Sequence, residues 1–173
     1  MNELSIVMHL LSRRVNKYQI GANEEEICKV LGASGKYQTI LFNQILVQLS
    51  HYIEILGLII RYNPIDNHWY IVHESGITDI IKANPFEDKP RLAASLFTVI
   101  ISCFSNFGRT TISEITKLRK KKSLLTDLQE LEQIGYILVD KNTAEITLTP
   151  LLGYELDINQ LLTNVALKIR EEE

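Results

Sequence analysis

One short ending occurs twice in this chain. Glu54-Ile-Leu-Gly-Leu-Ile-Ile60 and Glu132-Gln-Ile-Gly-Tyr-Ile-Leu138 each run from a carboxylate through a glycine into apolar, strand-forming residues. A glycine at that place ends a helix in the left-handed conformation, and the residues after it have strand composition. Each ending therefore reads as a helix delivered directly into a strand. Two of them predict two units on one plan, because each copy supports the register of the other.

In the second copy Pro90 opens a helix, where its missing N–H costs nothing. Residues 91–107 then place Leu92, Leu96, Val99, Ile100, Cys103, Phe104 and Phe107 at helical spacing. After a turn at Gly108-Arg109, Thr111-Ile-Ser-Glu114 fits an N-cap with a carboxylate three residues on. Ile112, Ile115 and Leu118 give that short helix one apolar side. A third helix over 123–134 is expected to bury Leu124, Leu125, Leu128, Leu131 and Ile134. Strands at 136–139 and 144–148 flank the turn Asp140-Lys-Asn142.

The first copy follows suit. A helix over 4–15 carries Leu4, Val7, Met8, Leu11 and Val15, and Glu24-Glu-Glu26 favours the positive end of a second helix reaching Leu31. A long helix runs from Lys36 to Leu56, and strands at 58–62 and 69–73 flank the tip Asn63-Pro-Ile-Asp-Asn67. Three helices followed by a hairpin make a winged helix. The predicted fold class is mainly α with small β wings, as two tandem winged helix-turn-helix domains, 1–74 and 91–149. Between them, 75–90 forms a linker with two prolines and a short helix marked by Ile77, Ile80 and Ile81. Past the second domain, 150–173 forms a C-terminal extension. There Asp157 caps an amphipathic helix bearing Ile158, Leu161, Leu162, Val165 and Ile169, and the Glu171-Glu-Glu173 tail, of the wrong sign for a helix end, frays.

Fold does not fix function, so the surfaces must be read. A winged helix that binds DNA shows basic and polar side chains on its third helix. The helix from Lys36 to Leu56 has Lys36 as its only lysine or arginine, while apolar residues from Ile40 and Leu41 through Val47 to Leu56 wrap most of its circumference. Such a helix belongs inside something, which implies a protein partner. In the second copy Arg109, Lys117, Arg119, Lys120, Lys121 and Lys122 set six positive charges against Glu114 within fourteen residues. Two readings stay open for this patch: weak, sequence-independent phosphate contact, or a solvated or protein-facing surface. Asp127, Glu130 and Glu132 follow on the same helix and are expected to repel a nucleic-acid backbone. The net charge of −3 also argues against a dedicated nucleic-acid binder.

Ala94, Phe97 and Ile101 form a second stripe on the helix after Pro90, beyond what its own core requires. It is covered either within the chain or by another molecule, as a twofold dimer or a groove for a partner's helix. No enzyme is indicated. The four histidines are scattered, and His68 and His73 at the two ends of one strand make a poor zinc site. There is no nucleophile elbow and no phosphate-binding loop, so no cofactor or metal is expected. Cys28 and Cys103 read as buried free thiols. With no apolar run long enough to span a bilayer and no signal-peptide pattern at Met1-Asn-Glu-Leu-Ser-Ile, a cytoplasmic protein without membrane contact is expected.

The succession of parts resembles the segregation and condensation protein B family (ScpB), the winged-helix partners of kleisin in SMC chromosome complexes. Lys89-Pro-Arg-Leu-Ala-Ala-Ser-Leu-Phe-Thr-Val-Ile-Ile101 is similar to that family's Leu-Ser-x-Ala-Ala-Leu-Glu-x-Leu-Ala-Ile-Ile. Thr110-Thr-Ile-Ser-Glu-Ile-Thr-Lys-Leu-Arg119 resembles its Val-Thr-Arg-x-Glu-Ile-Glu-x-Ile-Arg, and Leu148-Thr-Pro-Leu-Leu-Gly153 sits where the family has a strand and a closing segment. The chain departs from the family at Ser102-Cys-Phe-Ser-Asn106 and in its shorter second wing. The resemblance implies a non-enzymatic, chromosome-associated homodimer that binds the kleisin subunit of an SMC complex. Partner contacts are then expected at Phe97, Ile101, Ile40 and Val47. A winged-helix transcriptional regulator using Lys120, Lys121 and Lys122 on phosphates is the alternative.

Overall fold

A computed structural model of the chain describes residues 2–74, 86, 88–120 and 123–171, without the side chains of 165–171. The helix expected at Ile77, Ile80 and Ile81, the side chains of Val165 and Ile169, the end of the acidic tail, and Lys121 and Lys122 lie outside the described residues. The chain divides into two compact units, Met1–Lys82 with Asp157–Glu173, and Ala83–Leu156. Among the described residues the architecture is mainly helical, with small antiparallel sheets.

The first unit opens with α1 (Glu3–Ser12), capped by Asn2, whose side chain accepts from the Leu4 N–H. The helix was expected to reach Val15. It stops at Ser12, where Arg13 turns extended and the chain enters the first hairpin; the Ser12 hydroxyl donates back to the Met8 carbonyl at 2.7 Å. The Asn16 side chain then accepts from the Tyr18 N–H at 2.8 Å, closing a turn between β1 (Arg14–Asn16) and β2 (Gln19–Ile20). Val15 lies exposed on this hairpin instead of in the core.

Next comes α2 (Glu24–Leu31), held at its start by a reciprocal capping box between Asn23 and Glu26 and at its end by Gly32 at φ +70°. A 3-10 turn at Gly35–Tyr37 leads into α3 (Gln38–Glu54), so Lys36 precedes the long helix. Strands β3 (Leu58–Asn63) and β4 (His68–His73) pair antiparallel in unbroken register from Leu58–His73 to Asn63–His68. Val7, Leu11, Ile27, Phe42, Ile45, Leu49 and Ile53 form the core, and Leu58, Ile60, Trp69 and Ile71 close it from one face of the hairpin.

In the second unit α4 (Pro90–Ser105) is followed by β5 (Arg109–Thr111), α5 (Ile112–Leu118), α6 (Leu124–Ile134), β6 (Ile137–Val139), β7 (Glu145–Leu148) and α7 (Pro150–Glu155). The supposed turn at Gly108-Arg109 runs directly into strand, since Arg109, Thr110 and Thr111 pair with Thr147, Ile146 and Glu145 in a sheet of order β5-β7-β6. Thr111 and Glu114 form the expected capping box, and Gly135 ends α6 at φ +94°. Phe104 and Phe107, expected inside, are exposed: α4 ends at Ser105 and Phe107 stands at φ +55° in the turn that follows. Leu118 and Leu125 also face outward, and Ile115, Leu124, Leu128 and Leu131 supply the core from those helices. The final helix, α8 (Ile158–Glu171), belongs to the first unit. Asp157 caps it by accepting from the Gln160 N–H at 3.0 Å, and Ile158 is buried.

Candidate partner-binding surface

Helix α3 has more apolar side chains than its unit buries. Its core side holds Phe42, Ile45, Leu46, Leu49 and Ile53, while Ile40 and Val47 remain 54% and 57% exposed. Seven residues apart, those two share one helix face, opposite the buried one. Tyr52 and Leu56 are exposed on another side. With Leu4, Met8, Leu49 and Ile53 they line a groove of about 380 Å³ between α1 and α3. Sequence reasoning did not find this groove. Leu4 and Met8 belong to the apolar set of α1, and periodicity cannot tell the middle of an apolar stripe from its rim.

On α4 of the second unit, Ala94, Phe97, Ile101 and Phe104 repeat at helical spacing. Phe97 is half-buried, Ala94 and Phe104 are exposed, and Ile101 is 37% exposed. The opposite face is committed to the core through Leu92, Leu96, Val99, Ile100 and Cys103.

Of the basic stretch, Arg109, Lys117, Arg119 and Lys120 are among the described residues. Arg109, on β5, lies 3.7 Å from Glu145 on the neighbouring strand. Lys117 lies in the last turn of α5, Arg119 is half-buried and Lys120 is exposed. The acidic side chains of α6 do not form the repelling rim expected of them. Asp127 is buried against Arg91 at 2.9 Å and the Ser95 hydroxyl at 2.8 Å. Glu130 pairs with Lys89 at 2.6 Å, and Glu132 accepts from the Val139 N–H at 3.3 Å. A run of carboxylates in sequence is thus spent on partners within the unit.

Both cysteines are buried and unpaired. Burial, with the Glu114 carboxylate adding to it, pushes the Cys103 thiol up to about 11, and its Sγ donates to the Ile146 carbonyl. Burial raises Cys28 as well, with Glu24 contributing. Such thiols are poor nucleophiles. Among the described residues no group of three or more His, Cys, Asp or Glu side chains could hold a metal ion, and no helix is long and apolar enough to cross a membrane.

No protein-family model matches this chain, and no curated protein matches it either. Among solved structures it is similar to ScpB from Mycobacterium tuberculosis, at 11% identity over 86% of this chain and 91% of that one, with a TM-score of 0.34. It is also similar to a conserved hypothetical protein from Chlorobium tepidum, at 14% identity over 84% and 88% of the two chains and a TM-score of 0.36. A chain of the Nse1-Nse3-Nse4 complex matches at 16% identity over 72% of this chain and 57% of that chain, with a TM-score of 0.33. At these scores the likenesses assign no function.

Proposed function

We propose that this protein is a non-enzymatic adaptor made of two tandem winged helices, an accessory subunit of an SMC–kleisin complex that holds the kleisin on apolar helix faces. The carrying observation is the solvent side of α3, where Ile40 and Val47 stay more than half exposed on a helix whose only carboxylate or lysine-type charge is Glu54. Monomeric proteins seldom leave such faces open without a binding role. The Phe97–Ile101 stripe on α4 offers a second face of the same character. The partner class comes from the sequence resemblance at 89–101 and 110–119. Homodimerisation, a cytoplasmic and chromosome-associated location, and at most weak DNA contact through Arg109, Lys117, Arg119, Lys120, Lys121 and Lys122 belong to the same reading.

The test is co-expression with a kleisin-like chain from the same cell, followed by size exclusion with light scattering and a gel shift over a range of salt. A stable complex with the kleisin-like chain, and DNA binding no tighter than micromolar, is the expected result. Nanomolar, sequence-selective and strongly salt-dependent DNA binding without any kleisin complex would make the protein a transcriptional regulator instead.

A further inference from the structure

The hairpin between α1 and α2 has a fixed base and an exposed tip. At the base Ile20 is buried, and its carbonyl meets His68 Nδ1 at 3.1 Å. The Gly21 N–H donates to the Arg13 carbonyl at 2.8 Å, and Ala22 and Trp69 exchange both backbone hydrogen bonds, at 2.9 and 3.1 Å. These ties bind β2 to β4 and hold a two-stranded hairpin that is marginal by itself. Beyond them every residue from Arg14 to Tyr18 is exposed, including all three of β1, whose side chains alternate between the two faces.

The tip is basic. Between Glu3 and Glu24 the sequence has no carboxylate, and its lysines and arginines there are Arg13, Arg14 and Lys17. Arg13 is committed within the unit, its guanidinium 3.5 Å from Glu26. Arg14 and Lys17 have no carboxylate partner among the described residues. The glutamates that open α2 are engaged elsewhere. Glu24 accepts from the Thr39 hydroxyl at 2.9 Å, and Glu24 and Glu25 line a pocket with Tyr62, Asp66 and Trp69 of the β3–β4 hairpin. Lys17 Nζ stands 4.8 Å from the centre of the Tyr18 ring. Asn16 Oδ1 accepts from the Tyr18 N–H at 2.8 Å, so the side-chain nitrogen of Asn16 is the donor it presents.

We propose that the β1–β2 tip is a nucleic-acid contact, separate from the basic stretch at 109–122, which sets Arg14, Lys17 and Asn16 against the phosphodiester backbone of a duplex without reading its sequence. The charge of the tip selects a polyanion, and arginine, lysine, asparagine and tyrosine are the side chains that bond phosphate and sugar. A hairpin already fixed at its base loses little entropy when its tip is held. An anionic membrane fits less well. Val15 is the one aliphatic residue from Arg14 to Tyr18, too small an apolar area to enter the headgroup boundary. Two cations add only about 1 kcal/mol each near such a surface. The tip lies on the first unit, apart from the α3 face, and does not depend on a kleisin being the partner.

Fluorescence anisotropy of a labelled mixed-sequence DNA duplex, titrated with the intact protein from about 50 to about 200 mM salt, tests the proposal. The expected affinity is that of non-specific binding, a Kd of about 1–100 µM, and a second duplex of unrelated sequence should bind equally. Each phosphate met by a cation contributes about −0.9 to the slope of log K against log salt. Arg14→Ala with Lys17→Ala should therefore weaken binding at least about tenfold at the lowest salt and reduce that slope by about 2. Both side chains are exposed, so the thermal melt of the double variant should match the parent. Lys17→Glu should weaken binding more than Lys17→Ala. The kleisin-like complex should survive all three changes, which separates this contact from the adaptor reading. Unchanged affinity and slope in the double variant, no duplex binding at the lowest salt, or binding to phosphatidylserine vesicles but not to the duplex would overturn the proposal.

Discussion

Ser95 on α4 and Asp127 on α6 meet inside the second unit, the serine hydroxyl donating to Asp127 Oδ2 at 2.8 Å while the carboxylate is only 1% exposed. Arg91, one turn before Ser95, approaches the other carboxylate oxygen at 2.9 Å with half of its own side chain in solvent. The pair joins two helices through a buried carboxylate that takes its hydrogen bond from Ser95 and has Arg91 beside its other oxygen as an ion partner. Asp127→Ala should cost about 1.5–3 kcal/mol, the range for a hydrogen bond to a charged group, because the contact between helices is lost while the Ser95 hydroxyl keeps the Arg91 carbonyl at 3.1 Å as an acceptor. Ser95→Ala should cost about 1.5–3 kcal/mol, the range for a hydrogen bond to a charged group. Urea midpoints of the two variants check this. A Ser95→Ala variant as stable as the parent would mean that Arg91 alone satisfies the carboxylate.

Gly21 stands at φ +73°, and a Cβ there would lie 1.9 Å from the Trp69 carbonyl oxygen. That oxygen is the one that accepts from Ala22, so it cannot move aside without opening the bridge. Gly35, at φ +83°, has nothing within 4 Å of the same position. Gly35→Ala should cost about 1–2 kcal/mol for the left-handed backbone alone. Gly21→Ala should cost clearly more, with a visible loss of the β2–β4 junction. Thermal melts of the two variants, compared with the parent, decide it; equal losses would mean the close approach at Trp69 carries no cost.

How much of this was legible in the sequence depended on whether a residue's role was local. The capping box at Thr111–Glu114 and the left-handed stop at Gly135 were readable, because each is decided within one turn of chain; the reciprocal box at Asn23–Glu26 was not, only the acidic helix start. The strands β1, β2 and β5 were not. Two or three residues cannot display a period of two, and Arg109–Thr111 is a strand only because β7 supplies its partner. The apolar faces were half legible. Periodicity found the stripe on α3, but only packing decides that Leu49 is buried while Tyr52, three residues on, stays exposed. Charge misled most at Asp127, where a carboxylate that looks like surface in sequence is the centre of a buried network.

Tyr70 on β4 is buried, and that burial, with help from Asp157 and Asp66 and against the pull of Arg61, raises its phenol to about 12. Burial and the Glu155 carboxylate raise Tyr136 further still. A phenol whose folded value lies above its unfolded value of roughly 10 contributes its full stability below pH 10 and loses it as pH rises toward the folded value. Stability should fall between pH 10 and 12, with Tyr70 alone adding up to about 1.4 kcal/mol per pH unit in that window. Tyr70→Phe should flatten that part of the curve. Urea unfolding at pH 9, 10, 11 and 12 measures it, and an unchanged slope in Tyr70→Phe would show that other groups set the alkaline limit.

Ile40 and Val47 make the sharpest test of the adaptor reading, because their exposure separates binding from folding. Neither belongs to the buried core of the first unit, so Ile40→Glu with Val47→Glu should change stability by no more than about 0.5 kcal/mol each. Against a bound apolar segment the same change is severe. It forfeits the burial of two branched side chains, about 1.5–3 kcal/mol apiece, and places two carboxylates in a drying interface. The kleisin-like chain should then bind at least about a hundredfold more weakly, an increase in Kd readable by calorimetry, while Lys120→Ala leaves it unchanged. Full affinity in the double variant would move the binding surface away from α3. Phe97→Glu with Ile101→Glu on α4 would then be the next pair to examine, and a loss there would keep an adaptor role while changing which unit performs it.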